Sequence, residues 1–110
     1  MTTTIIANLE KLLGGPRDNA LLRYSLGAEW LKAGDAARAA GFLREAVARD
    51  AAFSAAWKLL GKALAEDGQI TEALAAYAQG IAVAEARGDV QAAKEMTVFA
   101  RRLQRQLAGD

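Results

Sequence analysis

The sequence contains neither cysteine nor histidine. Without cysteine there is no disulfide, no thiol nucleophile and no thiolate ligand for a metal, and without histidine the usual general base near neutral pH is missing. The hydroxyls of Ser25 and Ser54 therefore have no partner that could activate them as nucleophiles. We predict a protein that is not an enzyme and that uses no cofactor and no metal.

An excess of charge of one sign and long apolar runs are also missing. The chain carries 14 basic and 13 acidic residues, a formal net charge of +1, so no long-range field draws it to nucleic acid or to an anionic membrane. No stretch reaches the roughly 18 apolar residues of a membrane span, and residues 1–8 lack the basic segment and apolar core of a secretion signal. We expect a cytoplasmic protein without a membrane partner.

Proline is nearly absent, since Pro16 is the single one. Alanine, leucine, glutamate and arginine are abundant instead, and these side chains lose little rotamer freedom on a helical backbone. With 110 residues, of which 53% are hydrophobic, the chain is long enough to bury one continuous core. The composition predicts a single all-α domain over residues 1–110.

An internal repeat of 34 residues relates residues 20–53 to residues 54–87. Apolar residues recur within each repeat at intervals of three and four, which predicts two helices per repeat, each buried on one side. Gly34 and Gly68 lie between these helices and can end the first of each pair in a left-handed conformation. We expect Asp35 and Ser54 to act as N-caps. The matched pairs are Leu26/Leu60, Gly27/Gly61, Trp30/Leu64, Gly34/Gly68, Ala39/Ala73 and Leu43/Tyr77.

Two glycines, Gly27 and Gly61, fall in the middle of predicted helices. Glycine there costs about 1 kcal/mol relative to alanine, so its presence indicates a contact too close for a side chain. We expect the small residues Ala39 and Ala73 to lie opposite these glycines.

The two ends of the chain predict one further helix each. Residues 3–14 form the first, which should pack on the first repeat and stop at Gly14-Gly15-Pro16. Residues 89–107 form the second, with Asp89 as N-cap and an apolar stripe that should cover the last repeat. The apolar residues are Ile5, Ile6, Leu9, Leu12 and Leu13 in the first helix, and Ala92, Met96, Phe99, Leu103 and Leu107 in the second.

These repeats resemble the tetratricopeptide repeat (TPR) family, and the chain is similar to its small bacterial two-repeat members. The first repeat departs from the family pattern at Arg23, which stands in the tryptophan position. The resemblance implies an α-solenoid of two helical hairpins between an N-terminal capping helix and a long C-terminal capping helix. In the second repeat, the residues that fit the family pattern are Trp57, Leu60, Gly61, Ala73 and Tyr77.

The resemblance also implies a partner-binding groove, because in this family the first helix of each repeat faces a concave surface. Tyr24 and Leu31 would anchor an apolar side chain there, while Lys58 and Lys62 would attract an acidic group. We expect a protein–protein interaction module that binds a peptide or helix of a partner. The residues at the groove positions are Leu21, Tyr24, Ala28, Leu31, Lys32, Ala55, Lys58, Lys62, Ala65 and Glu66.

Other interpretations of the surface stay open. The same groove could be buried in a homodimer, which would make the protein a scaffold. The closing helix carries a basic cluster of Lys94, Arg101, Arg102 and Arg105 that could touch RNA. Nucleic acid is disfavoured, because Asp89 and Glu95 share this helix and no exposed aromatic residues are expected for base stacking. Periodicity assigns the aromatic residues to the core, namely Trp30, Trp57, Tyr77 and Phe99.

Overall fold

The computed structural model describes residues 2–109, which contain six helices and no strand. The predicted all-α class and α-solenoid architecture are confirmed. Two antiparallel hairpins, α2 with α3 and α4 with α5, stack side by side, with α1 against α2 and α6 against α5. The helices are α1 (Thr2–Glu10), α2 (Ala20–Lys32), α3 (Ala36–Arg49), α4 (Ser54–Glu66), α5 (Ile70–Ala86) and α6 (Val90–Leu107).

The turns within the hairpins form at the predicted glycines. Gly34 and Gly68 have φ angles of 88° and 78°, in the left-handed region that glycine enters without steric cost. The carboxylate of Asp35 accepts a hydrogen bond from the amide of Arg38 at 3.0 Å, so it caps α3 as predicted. Each repeat therefore folds into its hairpin through local signals.

The two glycines in mid-helix lie against large side chains. A Cβ on Gly27 would lie 2.5 Å from Cγ of Leu43, and one on Gly61 would lie 2.5 Å from Cε1 of Tyr77. The expectation that Ala39 and Ala73 lie opposite is therefore wrong, although both are fully buried. Ala39 and Ala73 lie closer to the turn of the hairpin than Gly27 and Gly61 do. In an antiparallel hairpin the residue opposite each glycine therefore lies about one helical turn after the alanine, at Leu43 and at Tyr77.

The predicted cap at Ser54 is also wrong. Phe53 is the N-cap of α4, and it makes no side-chain capping bond. Its ring instead packs against Tyr24 with the ring centroids 4.9 Å apart. Because this contact holds Phe53 at the entrance of the helix, Ser54 already lies inside the first turn.

The first helix is shorter than the expected 3–14. It ends at Glu10, and the following amides of Leu12 and Leu13 donate to carbonyls three residues back, at 3.0 and 3.1 Å. These tight turns lead into the Gly14-Gly15-Pro16 segment. Ile6 is buried in a small cluster with Leu22 and Leu26, so α1 covers the first hairpin.

The last helix covers the second hairpin through Met96, which is fully buried, and Leu103, which is 8% exposed. Met96 and Trp57 of α4 both lie against Gly80 of α5. Leu107 was expected on the same stripe but is 60% exposed. Leu107 lies in the last turn of α6, which is level with the first turn of the antiparallel α5. Helix α5 has no earlier turn that could cover Leu107.

Candidate functional site

A recess of about 480 Å³ opens between α2, α4 and α6, and we call it the concave recess. The first helix of each hairpin contributes side chains to it, and α6 closes it at the far end. Four of its seven lining residues belong to the predicted groove: Tyr24, Ala55, Lys58 and Lys62. The other three are Leu59, Tyr77 and Phe99.

Aromatic rings form the apolar part of this concave recess. Tyr77 lies at the bottom, 3% exposed, with its ring over Gly61. The ring of Phe99 packs beside it at a centroid distance of 5.9 Å, and Tyr24 lies half-buried on the opposite wall. The expectation that the aromatic residues are core is therefore right for Tyr77. Trp30, Trp57 and Phe99 are partly buried and pack against the same core.

The phenol of Tyr77 remains neutral at physiological pH. Burial, together with the negative charge of Glu66, raises the pKa of Tyr77 to about 12. A neutral phenol keeps its proton and can donate a hydrogen bond to an acceptor that enters the recess.

The two lysines of the recess have different surroundings. Nζ of Lys58 donates a hydrogen bond to Oε1 of Glu95 on α6 at 2.8 Å, and this bond lowers the pKa of Glu95 below its usual range. Lys62, one turn further along α4, is exposed and has no carboxylate of residues 2–109 within ion-pair distance. An anionic group that enters the recess therefore finds one engaged ammonium and one available ammonium.

The remaining predicted groove residues do not line the concave recess. Leu31 packs against the core and is not the freely exposed anchor that was expected, while Leu21 is 61% exposed. Lys32 pairs with Glu29 at 3.0 Å. Ala28 and Ala65 are half-buried, and Glu66 is exposed.

Sequence reasoning missed Leu59, Tyr77 and Phe99 as groove residues. All three lie on apolar stripes, which predict burial, and no local signal shows that one edge of each side chain remains accessible. The presence of Phe99 depends on how α6 packs across the end of α4, and this is a tertiary contact.

Within residues 2–109, no three acidic side chains lie close enough together to hold a metal ion. None of the helices described is long and apolar enough to cross a membrane.

No family model matches the chain, but known sequences and solved structures include proteins that are similar to it. The sequence is 52% identical over 101 residues to the TPR repeat-containing protein PA0015 of Pseudomonas aeruginosa, covering 92% of this chain and 96% of that protein. A match of this length includes both hairpins.

Solved structures show the same architecture. The solution structure of protein BPP2914 from Bordetella parapertussis superposes with a TM-score of 0.81 at 40% identity, over 96% of this chain and 92% of that one. The solution structure of a tetratricopeptide repeat domain protein from Salinibacter ruber superposes with a TM-score of 0.71 at 29% identity, over 78% of this chain and 87% of that one. Both likenesses extend over most of the solenoid.

Proposed function

This chain belongs to the tetratricopeptide repeat family, and from that premise we propose that it is a non-enzymatic, cytoplasmic module that binds a peptide or helix of a partner protein. The proposed site is the concave recess between α2, α4 and α6. TPR folds commonly mediate protein–protein interactions, and their stacked helices form extended concave surfaces.

The observation that carries the proposal is the pairing of an aromatic floor with one available cation. Tyr77 and Phe99 offer a pocket that an apolar side chain can fill, and buried aromatic contacts of this kind dominate binding energy at interfaces. Lys62 lies at the border of the same recess, where it can meet a carboxylate. We therefore expect partners with an aromatic or large aliphatic side chain next to an aspartate or glutamate.

The charges along α4 also give the bound segment a direction. Lys58, Lys62 and Glu66 are spaced four residues apart and so lie on one face of the helix. Lys58 and Lys62 lie on either side of the middle of α4, and Glu66 is its last residue. A bound peptide would place its acidic residue near Lys62 and a basic or neutral residue near Glu66.

Selection from a phage-displayed library of random 12-residue peptides on the immobilised full chain tests this proposal. We expect enrichment of an apolar residue beside an acidic one, and loss of binding in the Ala55→Arg variant, because Ala55 is exposed and its replacement would fill the recess. Ala48→Arg is the matched control, since Ala48 is exposed on α3 outside the recess. Selected peptides that bind Ala55→Arg as tightly as wild type would contradict the proposal.

Light scattering of the same proteins addresses the homodimer interpretation. A wild-type dimer that becomes monomeric in Ala55→Arg but not in Ala48→Arg would mean that the recess takes a second copy of the chain. A monomer in all three proteins leaves the recess free for a partner.

A further inference from the structure

A second surface lies on the opposite side of α6, along its contact with α5. It consists of two adjacent recesses of about 600 Å³ and 270 Å³ that share Thr97 and Arg101 as lining residues. We call it the α5–α6 groove. Its floor and edges are built from Leu74, Ala78, Ile81 and Glu85 of α5 and from Val90, Ala93, Lys94, Thr97, Val98, Ala100, Arg101 and Gln104 of α6.

This groove lies where the second helix of a hairpin would pack against α6. Gly27 is the eighth residue of α2, Gly61 is the eighth residue of α4, and both are buried against the second helix of their own hairpin. The eighth residue of α6 is Thr97, which faces the groove instead. Among the described helices, only α5 and the edge of α4 contact α6, so no described helix covers the α5–α6 groove.

The exposed edge of α6 has a regular pattern of apolar and basic residues. Val90, Lys94, Val98, Arg101 and Arg105 follow one another at intervals of three and four, so they lie on one face of the helix. Val90 is 62% exposed and Val98 is 44% exposed. None of the three cations forms an ion pair with another residue of the described range.

We propose that the α5–α6 groove binds an acidic amphipathic helix of a partner protein, which completes a third hairpin with α6. The apolar face of that helix would lie on Ala78, Ile81 and Val98, and its carboxylates would meet Lys94, Arg101 and Arg105. Helices bind in such grooves through apolar side chains spaced like those of the groove. Helix α6 has Thr97 at the position where α2 and α4 have Gly27 and Gly61. The partner helix would therefore lie further from α6 than α5 lies from α4.

The pattern of apolar and basic residues in the α5–α6 groove favours an acidic amphipathic helix over two other occupants, RNA and a second copy of this chain. RNA is disfavoured because exposed valines alternate with the cations, no aromatic side chain lines the groove for base stacking, and Glu85 lies at one end. A second copy of this chain is disfavoured by charge, since no described helix displays acidic residues at intervals of three and four beside an exposed apolar stripe.

The test uses a labelled 18-residue peptide with leucines on one helical face and glutamates beside them. A control peptide has the same composition, with the leucines spread around the helix. Fluorescence anisotropy with the full chain should show binding of the first peptide and at least about ten-fold weaker binding of the second. Equal binding of both peptides would overturn the proposal, because only charge attraction would then operate.

Two substitutions separate docking in the groove from attraction by charge. Ala78→Arg fills the groove while adding a positive charge, so we expect at least about ten-fold weaker binding, whereas charge attraction alone would strengthen it. Arg101→Glu should also weaken binding at least about ten-fold, and Ala48→Arg and Lys11→Glu should change it less than about two-fold. Unchanged or tighter binding by Ala78→Arg would overturn the proposal.

Two further measurements complete the test. In the Ala55→Arg background, whose concave recess is filled, Ala78→Arg should still weaken binding of the acidic helix at least about ten-fold, so failure at one surface is distinguishable from failure at the other. Polyuridylate that binds as tightly as the peptide, and more tightly to Ala78→Arg, would overturn the proposal in favour of RNA.

Discussion

The ammonium of Lys58 on α4 donates a hydrogen bond to the carboxylate of Glu95 on α6 at 2.8 Å. This bond joins the second hairpin to the closing helix directly beside the concave recess. It also separates the roles of two lysines that look alike in the sequence, because Lys58 is engaged in structure and Lys62 is available for a ligand.

Charge reversal at the two lysines should therefore have different effects. Lys58→Glu places a carboxylate against Glu95, so we expect a lower melting temperature that the swap Lys58→Glu with Glu95→Lys restores. Lys62→Glu should leave the melting temperature unchanged and weaken binding of selected acidic peptides, more strongly at low salt than at high salt. Thermal unfolding and peptide affinity of the four proteins check this, and equal melting temperatures for both single variants would contradict it.

Glycine to alanine substitutions should reveal the close helix contact. In Gly61→Ala the new Cβ would lie 2.5 Å from the buried ring of Tyr77, so we expect a loss of about 1–3 kcal/mol in the free energy of unfolding. Gly41→Ala, in the exposed middle of α3 with no neighbouring atom within 4 Å, should instead stabilise by about 1 kcal/mol. Urea unfolding measures both, and a neutral Gly61→Ala would show that the helices are further apart.

Acid should weaken the link between the α1–α2 loop and α2. The guanidinium of Arg23 donates to Asp18 at 2.7 Å, and this bond, with a second from the amide of Gly14, lowers the pKa of Asp18 from its usual 3.8 to about 2. A depressed pKa means that the contribution to stability is complete above about pH 4 and is lost as the pH falls toward 2.

The matched variants for this link are Asp18→Asn and Glu10→Gln, since Glu10 is exposed at the end of α1. Asp18→Asn should unfold more easily than wild type at pH 7, and the difference should shrink between pH 4 and pH 2. Glu10→Gln should show little difference at any pH. A constant difference between Asp18→Asn and wild type across this range would mean that ionisation of the Asp18 carboxylate does not contribute to stability.

The closing helix should act as part of the core. Met96 is fully buried against Gly80, so Met96→Ala should cost about 2–5 kcal/mol through lost contacts and a cavity. Leu107→Ala should stay within about 0.5 kcal/mol, because Leu107 is 60% exposed. Calorimetry of both variants decides between a core helix and an appendage, and similar small losses in both would indicate an appendage.

Much of the fold could be predicted from the sequence because its signals are local. The 34-residue period, the apolar spacing within each helix, and the glycines at 34 and 68 together specify two hairpins. Asp35 and Asp89 act as N-caps as predicted, since a cap depends only on the three residues that follow it. The repeat also placed four of the seven recess residues through the resemblance of α2 and α4 to the first helices of a TPR.

The remaining features depend on how the helices pack, and no local pattern contains that information. Leu43 rather than Ala39 covers Gly27 because the offset between two antiparallel helices is set by all of their contacts together. Phe53 displaces Ser54 as the N-cap because its ring is held by Tyr24, a residue of another hairpin. Lys58 pairs with Glu95 and Phe99 reaches the recess because α6 crosses the end of α4. The sequence by itself determined which segments are helical and where they turn, while the tertiary structure decided which side chains meet and which remain available to a partner.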